Sequence, residues 1–261
     1  LMNRQMFYGA YQRVNGIFGH TPCETTGLPT PAEQQLLAPY AHDLPPGTLG
    51  PMTVPPNTNP PGSLRANLLQ ARALLQQAGW TVQGGVLRNA QGQALELEYL
   101  DSNEGGLRVV APWQRNLEKL GIRLRYRAVD FALYQQRLQK FDFDITSIAY
   151  QGTNNPGQEL ADLFGSQAAD QEDSGNFPGA KNPAVDALID KIVTARTQDE
   201  LLPACHALER VIAHGHYLIP QWYASTHRMA YNAWRLAMPS VLPPYSTGED
   251  WVLQTWWSKK Q

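Results

Sequence analysis

The chain has 261 residues, 43% of them hydrophobic and 17% charged, which is enough apolar material for one large or two medium globular units and too much for a disordered polymer. Its formal net charge is −2, with 21 lysines and arginines against 23 acids, so no basic surplus points to nucleic acid or an anionic membrane. No uninterrupted apolar run of about 18 residues occurs, so hydropathy offers no membrane-spanning helix.

The first residues, Leu1-Met2-Asn3-Arg4-Gln5, lack the basic start, apolar core and small-residue cleavage site of a secretory signal. In "MNRQMFYGAYQRVNGIFG", Met2, Met6, Phe7, Ala10 and Val14 fit one helical face, and Gly16 and Gly19 mark its end. This helix has no N-cap, so the expectation is a chain that begins inside an element of a longer protein. Cys23 comes next, in a loop-like run. Seven of the 20 prolines then fall between Asp43 and Gly62. Each removes an amide donor and restricts its neighbour, so this stretch reads as an extended ordered loop packed on the surface, with a flexible linker as the alternative.

A helix is predicted from Ser63 to Ala78, with Ser63 as N-cap, Leu64, Leu68, Ala71, Leu74 and Leu75 on one stripe, and Gly79 just past its end. "GVLRN" and "ALELEYL", joined by residues 90–93, read as a hairpin in which Leu95, Leu97 and Tyr99 share a face. A helix over 106–120 stops at Gly121. "IRLRYRAV" then alternates Ile122, Leu124, Tyr126 and Ala128 with Arg123, Arg125 and Arg127, a core face against a solvated one. Asp130 caps a short helix through Gln139, and "FDITSIAY" reads as the next strand.

Helices alternating with strands are the signature of an α/β domain whose sheet is covered by helices, and ligands on such sheets sit at the carboxyl ends of the strands. "YQGTNNPG" falls there, directly after the strand ending near Tyr150. Asn182-Pro183 gives N-cap and first turn for a helix with Val185, Leu188, Ile189 and Ile192 inside; Thr197 and Glu200 make a capping box for the next, in which Pro203 should bend the helix or delay its start. Leu201, Cys205, Leu208 and Ile212 share a face of that helix, so a buried free thiol is expected at Cys205, with a Cys23–Cys205 disulfide open in an oxidising compartment. "YLIPQWY" and "HRMAYN" read as strands before a tail rich in proline and tryptophan.

Signals for catalysis are weak. His206, His214 and His216 lack a third and fourth ligand at usual metal spacing, and each reads as an ordinary helix-end or surface histidine. Asp142 and Asp144 share a strand face, but one closes the preceding turn and catalytic pairs come from different strands, so both read as structural. No nucleophile elbow, phosphate loop or dinucleotide glycine fingerprint is present, and no metal or cofactor is expected. What remains is an aromatic and amide-rich set: Tyr150, Gln151, Gly152, Thr153, Asn154, Asn155, Asn176, Phe177, Trp222 and Tyr223. Aromatic faces with neutral hydrogen-bonding groups suit a polar, partly apolar ligand such as a peptide or sugar, although Trp222 and Tyr223 are equally at home in a core.

Four stretches carry a family resemblance over roughly residues 60–225: "LLQARALLQQAGW", "LEKLGIRLRYRAVDFALYQQRLQKFDFDITSIAY", "GNFPGAKNPAVDALIDKIVTARTQDE" and "ALERVIAHGHYLIPQWY". In order and spacing they resemble the carboxyl-terminal half of the periplasmic peptide-binding proteins of ABC importers, the bacterial extracellular solute-binding proteins of family 5. "QMFYGAYQRVNGIF" and "YNAWRLAMPSVLPPYSTGEDWVLQTWW" further resemble the Yej-type branch, associated with oligopeptides and the peptide antibiotic microcin C. The resemblance implies a periplasmic binding protein-like lobe of type II, a mixed sheet flanked by helices, plus the return segment to a first lobe absent from this chain. It divides the chain into a leading helix and proline-rich loop (1–62), the ligand-binding lobe (63–225) and the return segment (226–261).

It also implies that the turn after Tyr150 lines the ligand cleft and that Tyr150, Gln151 and Gly152 pair through their main chain with an extended peptide, like an added strand. Where many relatives place an aspartate for the peptide's amino group, this chain has Thr153, Asn154 and Asn155, all neutral, which makes a free dipeptide a poorer fit. Thr153, Asn154, Asn176 and Trp222 complete the expected ligand set. The implied protein is a monomeric, non-enzymatic periplasmic component that hands an oligopeptide to an inner-membrane ABC permease, without cofactor, nucleic acid or membrane span. With one wall of the cleft missing, the chain alone is expected to bind weakly or not at all. The alternatives are the ligand-sensing domain of a transcriptional regulator and a hydrolase using Asp142 or Asp144.

Overall fold

In the computed structural model, which describes residues 2–150, 155–224, 229–241 and 248–259, the chain divides into one unit over Asn15–Ile219 and a smaller one joining Leu1–Val14 to Pro220–Gln261. The smaller unit opens with α1 (Met2–Met6) and β1 (Tyr11–Arg13). The helix expected over this whole stretch ends within its first turns, because Tyr8 and Gly9 adopt positive φ and the chain turns back into a strand. The Asn3 side chain bonds the Tyr11 backbone at both its N–H and C=O and fixes that turn.

The larger unit continues with α2 (Pro31–Leu37), capped by Thr30, and a 3₁₀ turn over Ala38–Tyr40. Residues 41–62 run as turns and extended chain, tied down where Met52 donates to the Gly27 carbonyl and where Met52 and Thr48 are buried. The proline-rich stretch is thus an ordered surface loop. Residues 15–52 are integral to the larger unit, since Phe18, Cys23 and Leu37 lie in the same apolar cluster as its last two helices.

α3 (Leu64–Gln77) starts where Ser63 accepts from the Ala66 amide. Leu68, Ala71 and Leu75 face the core, while Leu64 and Leu74, expected on the same stripe, remain exposed at its edge. β2 (Thr81–Gln83) and β3 (Val86–Arg88) form an antiparallel hairpin around Gly84-Gly85. The expected hairpin around residues 90–93 survives only as a bridge from Arg88 to Ala94, since the glycine pair six residues earlier supplies the tighter turn.

β4 (Glu96–Asp101), α4 (Leu107–Glu118) and β5 (Arg123–Ala128) make a strand–helix–strand unit in which β4 and β5 pair in parallel, Glu96 opposite Arg123 through Asp101 opposite Ala128. Val110, Trp113 and Leu117 of α4 cover Tyr99, Leu124 and Tyr126 on one face. On the other, Tyr134 and Leu138 of α5 (Phe131–Gln139) cover Leu100. The period of two along β4 is what sends Tyr99 and Leu100 to opposite helices. Gly121, at φ +80°, makes the connection from α4 to β5: a Cβ there would lie 2.7 Å from the Leu87 amide nitrogen, so neither the dihedral nor the space admits a side chain.

"FDITSIAY" is extended but is not a strand. Ile145 alone bridges Tyr99 in parallel, exchanging backbone bonds with Glu98 and Leu100. The unit closes with α6 (Glu159–Phe164), a 3₁₀ turn over Ala168–Asp170, α7 (Pro183–Thr194) capped by Asn182, and α8 (Gln198–His214) capped by Thr197. α8 runs through Pro203 from Gln198 onward. The proline costs one amide bond, and burial of Leu201, Ala204, Cys205 and Leu208 around it offsets that loss.

In the smaller unit β6 (Trp222–Ala224) pairs antiparallel with β1, and β7 (Leu236–Ala237) with β8 (Trp257–Ser258), which comes after α9 (Gly248–Thr255). Met229–Asn232, expected to form part of a strand, does not do so, and the rest of that prediction lies outside the described residues. No helix among the described residues is long and apolar enough to cross a membrane.

Candidate binding surface at the carboxyl ends of the parallel strands

Hydroxyl groups gather where β4, β5 and the extended segment after Ile145 end. Thr146 and Ser147 point to opposite faces, as adjacent residues of an extended chain must. Ser147 meets the Tyr99 hydroxyl on the α4 side. Thr146 donates to the Leu100 carbonyl at 3.1 Å, and because its single proton is spent there, Tyr134 donates to Thr146 at 3.0 Å on the α5 side. Beyond β4, the Tyr126 hydroxyl donates to the Asp101 carboxylate at 2.6 Å, and it also lies against the Asn103 carbonyl. Burial and the neighbouring Asp101 charge raise the Tyr126 phenol. These groups hold the segment on the sheet, and none of them is a free nucleophile. Sequence reasoning passes over them because Thr-Ser and isolated tyrosines carry no pattern; the alternation of Tyr99 with Leu97 is the one available signal.

From Ser147 to Tyr150 the main chain has no backbone partner among the described residues, so among these the segment beyond Ile145 is an unpaired edge. Tyr150 ends it, 37% exposed, with its ring centroid 6.0 Å from that of Phe164. Burial of its other side pushes the phenol up to about 12, so it is a neutral donor at physiological pH. Gln151, Gly152, Thr153 and Asn154 lie outside the described residues. Beyond them, Asn155 is exposed and accepts from Gln198 at 3.3 Å.

Asn176 requires a correction. It is fully buried, its amide donates to the Gly165 and Ala180 carbonyls at 2.9 Å each, and its oxygen accepts from the Ala180 amide at 2.9 Å. Both amide protons are spent on closing the 165–180 loop, so Asn176 is a staple of the fold with none left for a ligand. Phe177 likewise packs inward against Phe141 and Phe143. Trp222 belongs to the smaller unit, 40% exposed on β6, with ring centroids 5.9 Å from Phe7 and 6.4 Å from Tyr11.

The groups considered for chemistry are occupied elsewhere. Asp142 pairs with Arg137 at 2.9 Å and Asp144 accepts from the Glu98 amide at 2.8 Å. His206 bonds the Pro22 carbonyl, and His214 the carbonyl of Arg210. Among the described residues no three histidine, cysteine or acidic side chains converge as a metal site. Arg123 and Arg125 reach Glu96, and Arg127 reaches Glu98, so the arginine stripe is a solvated ion-pair ladder. Two open grooves of about 450 and 460 Å³ are present, one along α3 at Leu64 and Leu68 and one at Arg127 and Gln136; neither is lined by the Ile145–Phe164 stretch.

The family described as bacterial extracellular solute-binding proteins, family 5 Middle, matches residues 2–172. The chain belongs to that family. It is 38% identical over 261 residues to a protein of Agrobacterium fabrum named "Probable peptide-binding protein YejA", covering 99% of this chain and 42% of that one. The Escherichia coli K12 protein named YejA is 34% identical, over 98% of this chain and 42% of its own length. The chain therefore spans about two fifths of the length of these curated relatives. Among solved structures, the mannohexaose-bound periplasmic oligopeptide-binding protein of Thermotoga maritima superposes with a TM-score of 0.60 at 16% identity, over 85% of this chain and 38% of that one. The oligopeptide-binding protein AppA of Bacillus subtilis, in complex with a nonapeptide, gives 0.55 at 17% identity, over 74% and 37%. At such identity these likenesses show the fold, which is the family 5 binding-protein fold expected from the sequence.

Proposed function

We propose that this chain forms part of a periplasmic solute-binding protein that captures an oligopeptide or peptide-like compound and delivers it, as a monomer, to an inner-membrane ABC permease without chemical conversion. The observation that carries this reading is the unpaired main-chain edge from Ser147 to Tyr150, at the carboxyl end of a parallel sheet. Such an edge is a template for an added strand, and an extended peptide is the ligand that brings a matching row of donors and acceptors. Tyr150 supplies an aromatic wall, and Gln151, Gly152, Thr153 and Asn154, outside the described residues, complete the proposed ligand set. The nonapeptide named with the Bacillus structure and the name of the Agrobacterium relative point the same way.

Residues 226–261 act in this reading as a return segment to a lobe outside this chain, which covers side chains such as Trp234, Val241 and Leu253, exposed at 91%, 77% and 83%. The family lends no support to the transcriptional-regulator alternative.

Hydrogen exchange of this chain within its full-length protein, with and without a millimolar pool of mixed oligopeptides, tests the proposal. Protection is expected at Ser147–Tyr150 and the turn after it, and Tyr150→Ala should weaken it by about five- to thirty-fold. Protection confined to other segments, or none with the pool at saturation, overturns it.

A further inference from the structure

Cys23 lies in a loop that α8 holds at several points. The Glu209 carboxylate accepts from the Phe18 amide at 3.1 Å and from the Thr25 amide at 2.6 Å. The His206 ring bonds the Pro22 carbonyl at 3.0 Å. Arg210 donates to the Thr26 and Gly27 carbonyls at 3.3 and 3.1 Å. Cys205 precedes His206 by one residue and Glu209 by four, so it faces the same loop. Both cysteines are fully buried in one apolar cluster and both are free thiols, and each is the leading influence on the other's ionisation. They are the two cysteines of the chain.

We propose that Cys23 and Cys205 close an intramolecular disulfide when the protein folds under oxidising conditions, stapling the 18–27 loop to α8. In the folded chain Cys205 and His206 lower the Cys23 thiol against burial and Glu209, while Cys23 and burial raise Cys205. Before the loop closes neither influence acts, so either thiolate can attack first, and one route begins at Cys23. On that route Cys23 displaces one thiol from an external disulfide, either a protein dithiol oxidant or glutathione disulfide. Cys205 gives up its proton and attacks the mixed disulfide at the Cys23 sulfur, releasing the second thiol. Two electrons and two protons pass to the oxidant, which leaves as two thiols. Because both sulfurs are buried in the folded chain, this exchange belongs to folding, before the loop closes over α8.

The test is refolding of the chain from denaturant in a glutathione redox buffer, then denaturation in iodoacetamide and intact-mass analysis. The oxidant comes from the buffer, so the outcome does not depend on the peptide-binding reading or on the cellular compartment. A mass about 2 Da below the reduced chain, with no alkylated cysteine until a reductant is added, is expected. The bond closes a loop spanning most of the chain, so reduction should lower the thermal midpoint by about 5–15 °C. Cys205→Ala should abolish the sensitivity to reductant, as should Cys23→Ser. If neither variant folds, the mass of the unaltered chain decides. Two alkylated cysteines without reductant, glutathione adducts on both, or a disulfide-linked dimer would overturn the proposal.

Discussion

Two arginine–glutamate systems in the same unit show how differently one chemical pair can be used. Arg210 bonds Glu33 at 2.5 Å with side chains 0% and 2% exposed; Arg125 bonds Glu96 at 2.9 Å with 63% and 43% exposed. In the buried pair all five guanidinium donors find acceptors: Glu33 for Nε, the Gly27 and Gly50 carbonyls for Nη1, and Thr25 Oγ1 with the Thr26 carbonyl for Nη2. Glu33 also accepts from the Thr30 hydroxyl and faces His206. In the exposed system Glu96 is shared between Arg123 and Arg125 while water completes the rest. Burial demands full satisfaction, because a charge taken from water and left short of partners costs several kcal/mol. The surface ladder has no such demand, and its geometry is correspondingly loose.

The sharpest way to break this contrast is Arg210→Ala. It leaves Glu33 buried without its main partner and releases the carbonyls of Gly27 and Gly50, so a loss of about 3–5 kcal/mol is expected in denaturant unfolding. A loss under about 1 kcal/mol would mean that the loop reopens to water at little cost and that the network does not hold it.

Next in size is a pH effect from the same network. Glu33 is held down to about 2 only because His206, Arg210 and Thr30 outweigh desolvation, whereas at Glu209 desolvation wins over the Thr25 and Phe18 amides and raises the carboxyl to about 7. The signs are opposite. Glu33 contributes stability that is present above about 4.5 and lost as pH falls towards 2. Glu209 binds its proton more tightly folded than unfolded, so its contribution is complete below about 4.5 and is lost as pH rises through 7, on the order of 3 kcal/mol in all. His206, raised chiefly by Glu33, adds to the decline on the alkaline side. Glu209→Gln keeps one acceptor and loses the other, which shifts stability at every pH, but it should flatten the slope between about pH 4.5 and 7. An unchanged slope in that variant would assign the titration to another group.

What the sequence displays and what it hides divide along the same line between local and distant partners. The caps at Ser63, Asp130, Asn182 and Thr197 are legible because donor and acceptor lie within three residues of each other. The segment after Phe141 reads wrongly as a strand because β-prone residues say nothing about whether a second strand is present; only Ile145 finds a partner. Nothing in "LERVIAH" marks Arg210 as buried, since its five acceptors sit some 160–185 positions away. At the candidate site the position of Tyr150 at the end of the segment that follows β5 and α5 is legible from chain order, while the turn expected after it lies outside the described residues. Asn176 is not, because an amide in a tight loop has the same composition whether it faces a ligand or, as here, its own backbone.

The smallest expected effect sharpens the contrast from the exposed side. Arg125→Ala removes one of two arginines on Glu96, which keeps Arg123 at 3.3 Å, so unfolding should change by less than about 1 kcal/mol. Glu96→Ala releases both arginines into water, where their solvation is nearly complete, and should cost no more than the arginine change. A double-mutant cycle on Arg125 and Glu96 should return a coupling of about 0.2–1 kcal/mol that shrinks as salt is raised. If the coupling approached the Arg210 value, or resisted salt, the ladder would have to be shielded in solution by something that covers β4 and β5, and the solvated reading of the arginine stripe would fall with it.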